Sequence, residues 1–182
     1  SVIAANAGSD DEINFLPSLS AAYSVNDYVE LYANWGQGFH SNDVRGVTIA
    51  IDPASGEAAD SVDLFVKQEG AEIGVRVEGW RGLATTLTYF WLASDSDLLF
   101  VGDSGSTEPG EGSKRTGLEL NTFWHLNHQW TADVLASVVD SEFTGVPSNA
   151  NQIPNAHGEV VGAGLTYVGK RLEASLRLRH FG

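Results

Sequence analysis

Cysteine is absent from this chain of 182 residues, which excludes a disulfide framework and thiolate metal sites. Basic residues are scarce, ten against 24 acidic ones. The resulting formal charge of −14 argues against nucleic acid or an anionic membrane surface as the partner. Cations, cationic ligands or plain solubility fit that balance better. No apolar run approaches the roughly 18 to 20 residues that a membrane helix needs, so if the chain meets lipid it does so as strands. The residue patterns of common catalysis are missing too. There is no G-x-S-x-G, no H-E-x-x-H and no phosphate-cradling glycine loop, and histidines number only five. Scattered acidic residues show no spacing that selects a glycosidase-like pair. The expectation is therefore no enzyme, no catalytic residue, no cofactor and no resident metal.

What is present is alternation. With 42% apolar residues, 20 glycines and five prolines, the composition is that of one folded unit. Four times, two apolar-alternating segments meet at a short polar turn, over Phe15 to Phe39, Glu69 to Val101, Thr116 to Phe143 and Gly158 to Phe181. This pattern predicts an all-β, antiparallel up-and-down sheet of about eight strands, and it also describes the wall of a transmembrane barrel.

The facing of charges bears on which solvent the apolar side meets. Val29, Leu31, Ala33 and Trp35 oppose Tyr28, Glu30, Tyr32 and Asn34, and Ala71, Ile73, Val75 and Val77 oppose Glu72, Gly74, Arg76 and Glu78. Leu118, Leu120, Thr122, Trp124 and Leu126 oppose Glu119, Asn121, Phe123 and His125, with Thr122 the one polar residue on its side. Trp130 to Val138, Val161 to Tyr167 and Leu172 to Leu178 repeat the division, the last setting Glu173, Arg177 and Arg179 opposite its leucines. The segment 83–93 is apolar on both sides at Phe90, Trp91 and Leu92, so its facing is left open. A soluble sandwich or lipocalin-like barrel would alternate in the same way.

The connections break the tie. The short ones, at Val25-Asn26-Asp27, Trp80-Arg81-Gly82, Asn127-His128-Gln129 and Gly169-Lys170, are turn formers. Beside them cluster Tyr23, Tyr28, Trp80, Trp124, Trp130 and Tyr167, an interfacial girdle in composition. A second set, Phe15, Phe39, Phe100, Phe143 and Phe181, lies at the opposite ends, where the connections from His40, Asp95 and Asp140 are long and polar. Short periplasmic turns and long extracellular loops are the expected assignment.

Several segments together resemble the barrel of TonB-dependent outer-membrane receptors. They are the run Leu31-Tyr32-Ala33-Asn34-Trp35-Gly36-Gln37-Gly38-Phe39-His40-Ser41-Asn42-Asp43-Val44-Arg45-Gly46, then Gly70 to Arg76, Ser94 to Asp103, Lys114 to Glu119 and Ser175 to Gly182. The resemblance implies a bacterial outer-membrane transport receptor whose wide barrel encloses a plug. It implies uptake of a scarce nutrient, such as a ferric siderophore or cobalamin, with energy passed by TonB. Its partners would be outer-membrane lipid, the plug, the remaining strands, TonB and a small-molecule or metal-chelate substrate. On this reading residues 1–182 are a partial barrel domain without plug or remaining strands, since no export signal precedes Ser1 and a strand pattern stops at Gly182. The alternatives are a soluble or small eight-stranded β-barrel acting as a binding or structural module, which would bury both aromatic sets, and a small complete outer-membrane barrel.

Candidate substrate-binding residues are His40, Asn42, Asp43 and Arg45, at a strand-to-loop junction where turn capping and loop anchoring compete as explanations. Glu72, Arg76, Glu119, Arg177 and Arg179 are expected to face the lumen, toward the plug or the substrate path, with cross-strand pairing as the simpler role. His125 and His128 are three residues apart on a strand and turn, hence on opposite faces and poor as a metal pair. Asp95 to Asp103 offers oxygens but lacks the glycine and closing glutamate of an EF-hand loop.

Overall fold

In the computed structural model the described residues are 3–42, 44–53, 55–96, 98–101, 106–154 and 156–182, with side chains described outside 98–101 and 106–109. Ten strands form: β1 (Ser18–Ser24), β2 (Val29–Ser41), β3 (Phe65–Trp80), β4 (Leu83–Ser94), β5 (Leu98–Val101), β6 (Ser106–Pro109), β7 (Ser113–His125), β8 (Trp130–Phe143), β9 (Glu159–Val168) and β10 (Glu173–Phe181). Eight of them make one sheet in the order β1-β2-β3-β4-β7-β8-β9-β10, every neighbouring pair antiparallel. The four hairpins stand where the alternation places them. The second ends earlier, because β4 stops at Ser94 and Leu98–Val101 pairs instead with Ser106–Pro109 as a separate hairpin inside the long connection. The main sheet does not close into a small barrel. β1 and β10 are its edges and are not paired with each other.

Register turns the alternation into rows. Tyr23, Leu31, Val75, Leu87, Leu120, Ala136 and Val161 lie opposite one another strand by strand, and so do Ala33, Ile73, Tyr89, Leu118 and Val138. This fixes the facing of β4, which alternation could not. Leu83, Thr85, Leu87, Tyr89 and Trp91 take the apolar side, Phe90 and Leu92 the polar one.

The apolar side is open, with no layer packed on it. Leu31 is 47%, Ile73 59%, Val138 57% and Leu176 63% exposed, whereas Tyr32 on the polar side is 9% exposed. Buried apolar side chains number only Tyr32, Val47 and Val66 among the described residues. A water-soluble domain hides its large apolar residues, and this sheet presents them as a continuous surface. Thr122, polar on that side, is satisfied by Thr85, their hydroxyls 2.7 Å apart.

The apolar band has limits. At the short-turn end it finishes with Trp80, Trp124, Trp130 and Tyr167; the rings of Trp130 and Tyr167 stand 4.9 Å apart, and the Trp124 indole donates to the Arg81 carbonyl at 3.2 Å. At the other end register places Glu69, Lys114 and Glu142 in one row on the same side, with the Trp35 indole donating to Glu69 at 2.7 Å. These charges lie just beyond the segments in which alternation is cleanest. Along β8 the band runs from Trp130 to Val138. Eight steps cover about 27 Å of strand, or about 20 Å of depth at the roughly 40° tilt of membrane barrels, near their ~25 Å apolar height. The second aromatic set is not a uniform belt. Phe39 and Phe65 pack at 4.4 Å on the apolar side, but register puts Phe143 and Phe181 on the polar side, and the Phe100 side chain lies outside the described residues.

Two of the short turns are built alike. Asn26 Oδ1 accepts from the backbone N–H of Tyr28 and Val29 at 2.9 and 3.0 Å, and Asn127 Oδ1 accepts from Gln129 and Trp130 at the same distances. The third turn places Arg81 and Gly82 at φ 50° and 77°, the left-handed pair of a tight hairpin. Asn127→Ala removes two acceptor contacts. Its expected effect is a destabilisation of about 1 kcal/mol, read as a lower midpoint of chemical unfolding from lipid vesicles.

Candidate functional site

The polar side of the sheet is built from residues that reach across their neighbours. Tyr32 of β2 lies over Gly74 of β3, and its hydroxyl meets the Thr88 hydroxyl of β4 at 2.5 Å. A Cβ on Gly74 would stand 2.5 Å from the Tyr32 ring and 2.7 Å from the Leu87 carbonyl, so the glycine is what admits the tyrosine. Gly164 does the same on β9. Arg177 of β10 reaches Asp133 of β8 across it, with two N–H···O contacts of 3.1 and 3.2 Å, in space that a Gly164 Cβ would contest with the Asp133 carboxylate.

The charged residues expected on this side are all on it by register, but they do not form one cluster. Arg76 pairs with Glu30 at 2.8 Å and stacks on the Tyr32 ring at 5.3 Å. Glu72 accepts from the Asn34 amide at 2.7 Å. Arg177 belongs to Asp133, and Arg179 sits opposite Gly162. Glu119 stands opposite Thr88 and Ser137. Exposed pairs of this kind stabilise by at most about 1 kcal/mol each, so their main effect is to fix which way the side chains lean.

An open cleft of about 580 Å³ lies on this surface, lined by Asn34, Glu72, Phe90, Leu92 and Glu119 around paired Gly36 and Gly70. The two glycines leave out side chains and so form its floor. On the polar side its lining includes the Phe90 ring, Leu92, the Thr88 hydroxyl, the Glu72 and Glu119 carboxylates and the Asn34 amide, and no lysine or arginine among the described residues. Such a surface suits a polar, partly apolar partner of neutral or positive charge.

At the long-connection end the junction residues have different fates. Asn42 is buried, donating its backbone N–H to the Leu64 carbonyl at 2.9 Å and its side-chain amide to the Asp63 carbonyl at 2.6 Å. It ties the two ends of the 42–64 connection together. His40 is half-buried on the polar side opposite Val66, and Arg45 is exposed on the short helix α1 (Val44–Val47). Asp43, Asp97 and Asp103 lie outside the described residues. Ser94 and Ser113, at the same end and on the polar side, are 4% and 1% exposed. Between the connections, α1 lies beside β6, and the Thr144 N–H continues the β7–β8 ladder by donating to the Gly112 carbonyl at 2.7 Å.

At the short-turn end of the same face, His125 is engaged by the Thr131 hydroxyl at 3.2 Å and by the Phe123 ring at 5.0 Å. Asp133 and Tyr32 are the participants that alternation alone did not single out. The glycines beside them were the available signal.

The model of the family described as "TonB dependent receptor-like, beta-barrel" matches residues 4–182. No curated protein matches at a significant level. Solved structures with the same fold include the ferric yersiniabactin uptake receptor FyuA from Yersinia pestis (20% identity, 90% of this chain and 24% of that one, TM-score 0.64). The ferric-catecholate import receptor Fiu from E. coli K12 is similar over 91% of this chain and 24% of its own (13% identity, TM-score 0.69). The copper transporter OprC is similar over 89% and 25% (19% identity, TM-score 0.67). The chain thus spans about a quarter of the length of each of these structures.

Proposed function

The chain belongs to the TonB-dependent receptor β-barrel family of the Gram-negative outer membrane, and on that premise we propose that it forms part of the wall of a receptor importing a scarce nutrient. The family is one of transport receptors, not of enzymes. The observation that carries the reading is the two-sided sheet, with large apolar residues exposed in continuous rows on one face and glycine-spaced polar and charged residues on the other.

Each face then has a partner. Outer-membrane lipid meets the Leu31–Leu120–Val161 side. The remaining barrel strands continue the ladder at β1 and β10, whose backbone groups lipid cannot satisfy. An enclosed plug or the substrate path faces Glu72, Arg76, Glu119, Arg177 and Arg179 across the lumen, and TonB supplies energy to the complete receptor. The cargo is a small molecule or metal chelate, such as a ferric siderophore or cobalamin. Two of the similar structures are named for ferric chelates and one for copper, which supports a metal-containing cargo. Within the junction group, Asn42 anchors the loop, and His40, Asp43 and Arg45 are the substrate-side candidates.

The test is uptake by the complete receptor in a host lacking its own receptors, using a panel of ferric siderophores, copper chelates and cobalamin, each carrying a radioisotope of its own metal. Accumulation of at least one of these that disappears when TonB is deleted is the expected result. Cargo entry indifferent to TonB, or no entry of any of them by a correctly inserted receptor, overturns the reading.

A further inference from the structure

The segment preceding β1 is fastened to the 42–64 connection by one side chain. Asn6, which ends the short helical turn Ala4–Asn6, accepts at Oδ1 from the backbone N–H of both Ala50 and Ile51 at 2.9 Å, and donates through Nδ2 to the Ile51 carbonyl at 2.7 Å. Its own carbonyl accepts from the Thr48 hydroxyl at 3.0 Å. A single amide thus does for residues 50 and 51 what a neighbouring strand would do, satisfying backbone groups that have no ladder partner there.

The connection so held has its own internal order. The Ala59 N–H donates to the Ala50 carbonyl at 3.0 Å, Val62 to Gly46 at 3.1 Å, and Asp52 to Glu57 at 2.9 Å. Val47 within it is buried. The Asn6 contacts therefore act on a folded unit, and α1 of that unit lies against β6 of the next long connection.

We propose that segment 3–9 is a strap, with Asn6 as its fastening, that makes the segment preceding β1 and the 42–64 connection move as one body. Opening the 42–64 connection requires releasing three side-chain hydrogen bonds at residue 6 together. Because the fastening is polar and lies at the water-exposed end, it is reversible, unlike the apolar packing of the band. Sequence spacing gave no hint of it, since 45 residues separate Asn6 from Ile51.

Gly8 supplies an independent handle. A Cβ built on it would stand 3.6 Å from Thr48 Cβ, within the range that a disulfide spans, and the chain has no competing cysteine. The experiment is hydrogen exchange on the complete receptor in lipid, comparing wild type, Asn6→Ala, and Gly8→Cys/Thr48→Cys with and without Asn6→Ala. The expected result is about tenfold or faster exchange at Ala50 and Ile51 in Asn6→Ala, with β3 and β7 unchanged. The oxidised cysteine pair should form without denaturant and restore protection to Asn6→Ala, and reduction should abolish the rescue. Unchanged exchange at residues 50 and 51 in Asn6→Ala, or failure of the cysteine pair to oxidise in the folded receptor, overturns the strap. These readouts do not depend on cargo or on transport.

Discussion

Gly74→Val is expected to cost about 2 to 4 kcal/mol and to prevent the β2–β4 region from reaching its native packing. The added Cβ would meet both the Tyr32 ring and the Leu87 carbonyl. The ring could swing away, but only by giving up the Thr88 hydroxyl and its buried position on the polar face. The carbonyl belongs to the β3–β4 ladder and cannot yield without breaking it. Tyr32→Ala in the same chain should therefore rescue Gly74→Val only in part. The check is the midpoint of chemical unfolding in lipid vesicles, with Gly38→Val as the control, since a Cβ on that glycine would have nothing within 4 Å of it. An equal loss in the two variants would mean that strand glycines matter here through backbone entropy and not through the side chains that cross them.

Leu120→Arg should cost about 2 to 4 kcal/mol, whereas Asn121→Arg, one residue on, should cost close to nothing. Leu120 lies in the middle of the apolar band, in register with Leu87 and Ala136. Its neighbour points to the side where Arg76 and Arg177 already stand. The comparison cancels strand propensity and expression context and leaves the medium as the variable. It is measured by the folded fraction after refolding into vesicles at graded urea. Equal costs would remove the distinction between the faces.

Most of the fold was legible because the side-chain period of a strand is two, and a charge on the wrong face of a membrane wall is expensive. Glu30, Glu72, Arg76, Glu119 and Arg177 sorted the faces without any structure. β4 resisted because Phe90, Trp91 and Leu92 are apolar on both sides, and only pairing with Gly70 and Arg115 shows which way Leu92 points. The hairpin at Leu98–Val101 and Ser106–Pro109 was hidden for a related reason, since its first strand continues the apolar run of β4 after a break of a few residues. The aromatic ends were half legible. The girdle of Trp80, Trp124 and Trp130 was, whereas Phe143 and Phe181 show that residue type does not fix facing where strands leave the band.

The candidate site was less legible, because its geometry arises between strands. That Arg177 seeks Asp133 follows from two registers acting through Gly164, and no single segment contains that information. Asn42 illustrates the opposite case. The residue was conspicuous, and its position at the loop base explains it as an anchor. Asn6 was not conspicuous at all, for its partners lie in a different connection.

The central claim is that one face of this sheet meets lipid and the other meets water. It is tested most directly by single cysteines at each position from 118 to 125 in β7, where this chain has none of its own and any cysteine elsewhere in the complete receptor is first replaced. Each is spin-labelled in the complete receptor in bilayers and probed for collision with oxygen and with a water-soluble nickel complex. Oxygen should dominate at 118, 120, 122 and 124 and the nickel complex at 119, 121, 123 and 125. Nickel accessibility at 118, 120 and 122 equal to that at 119, 121 and 123 would contradict it.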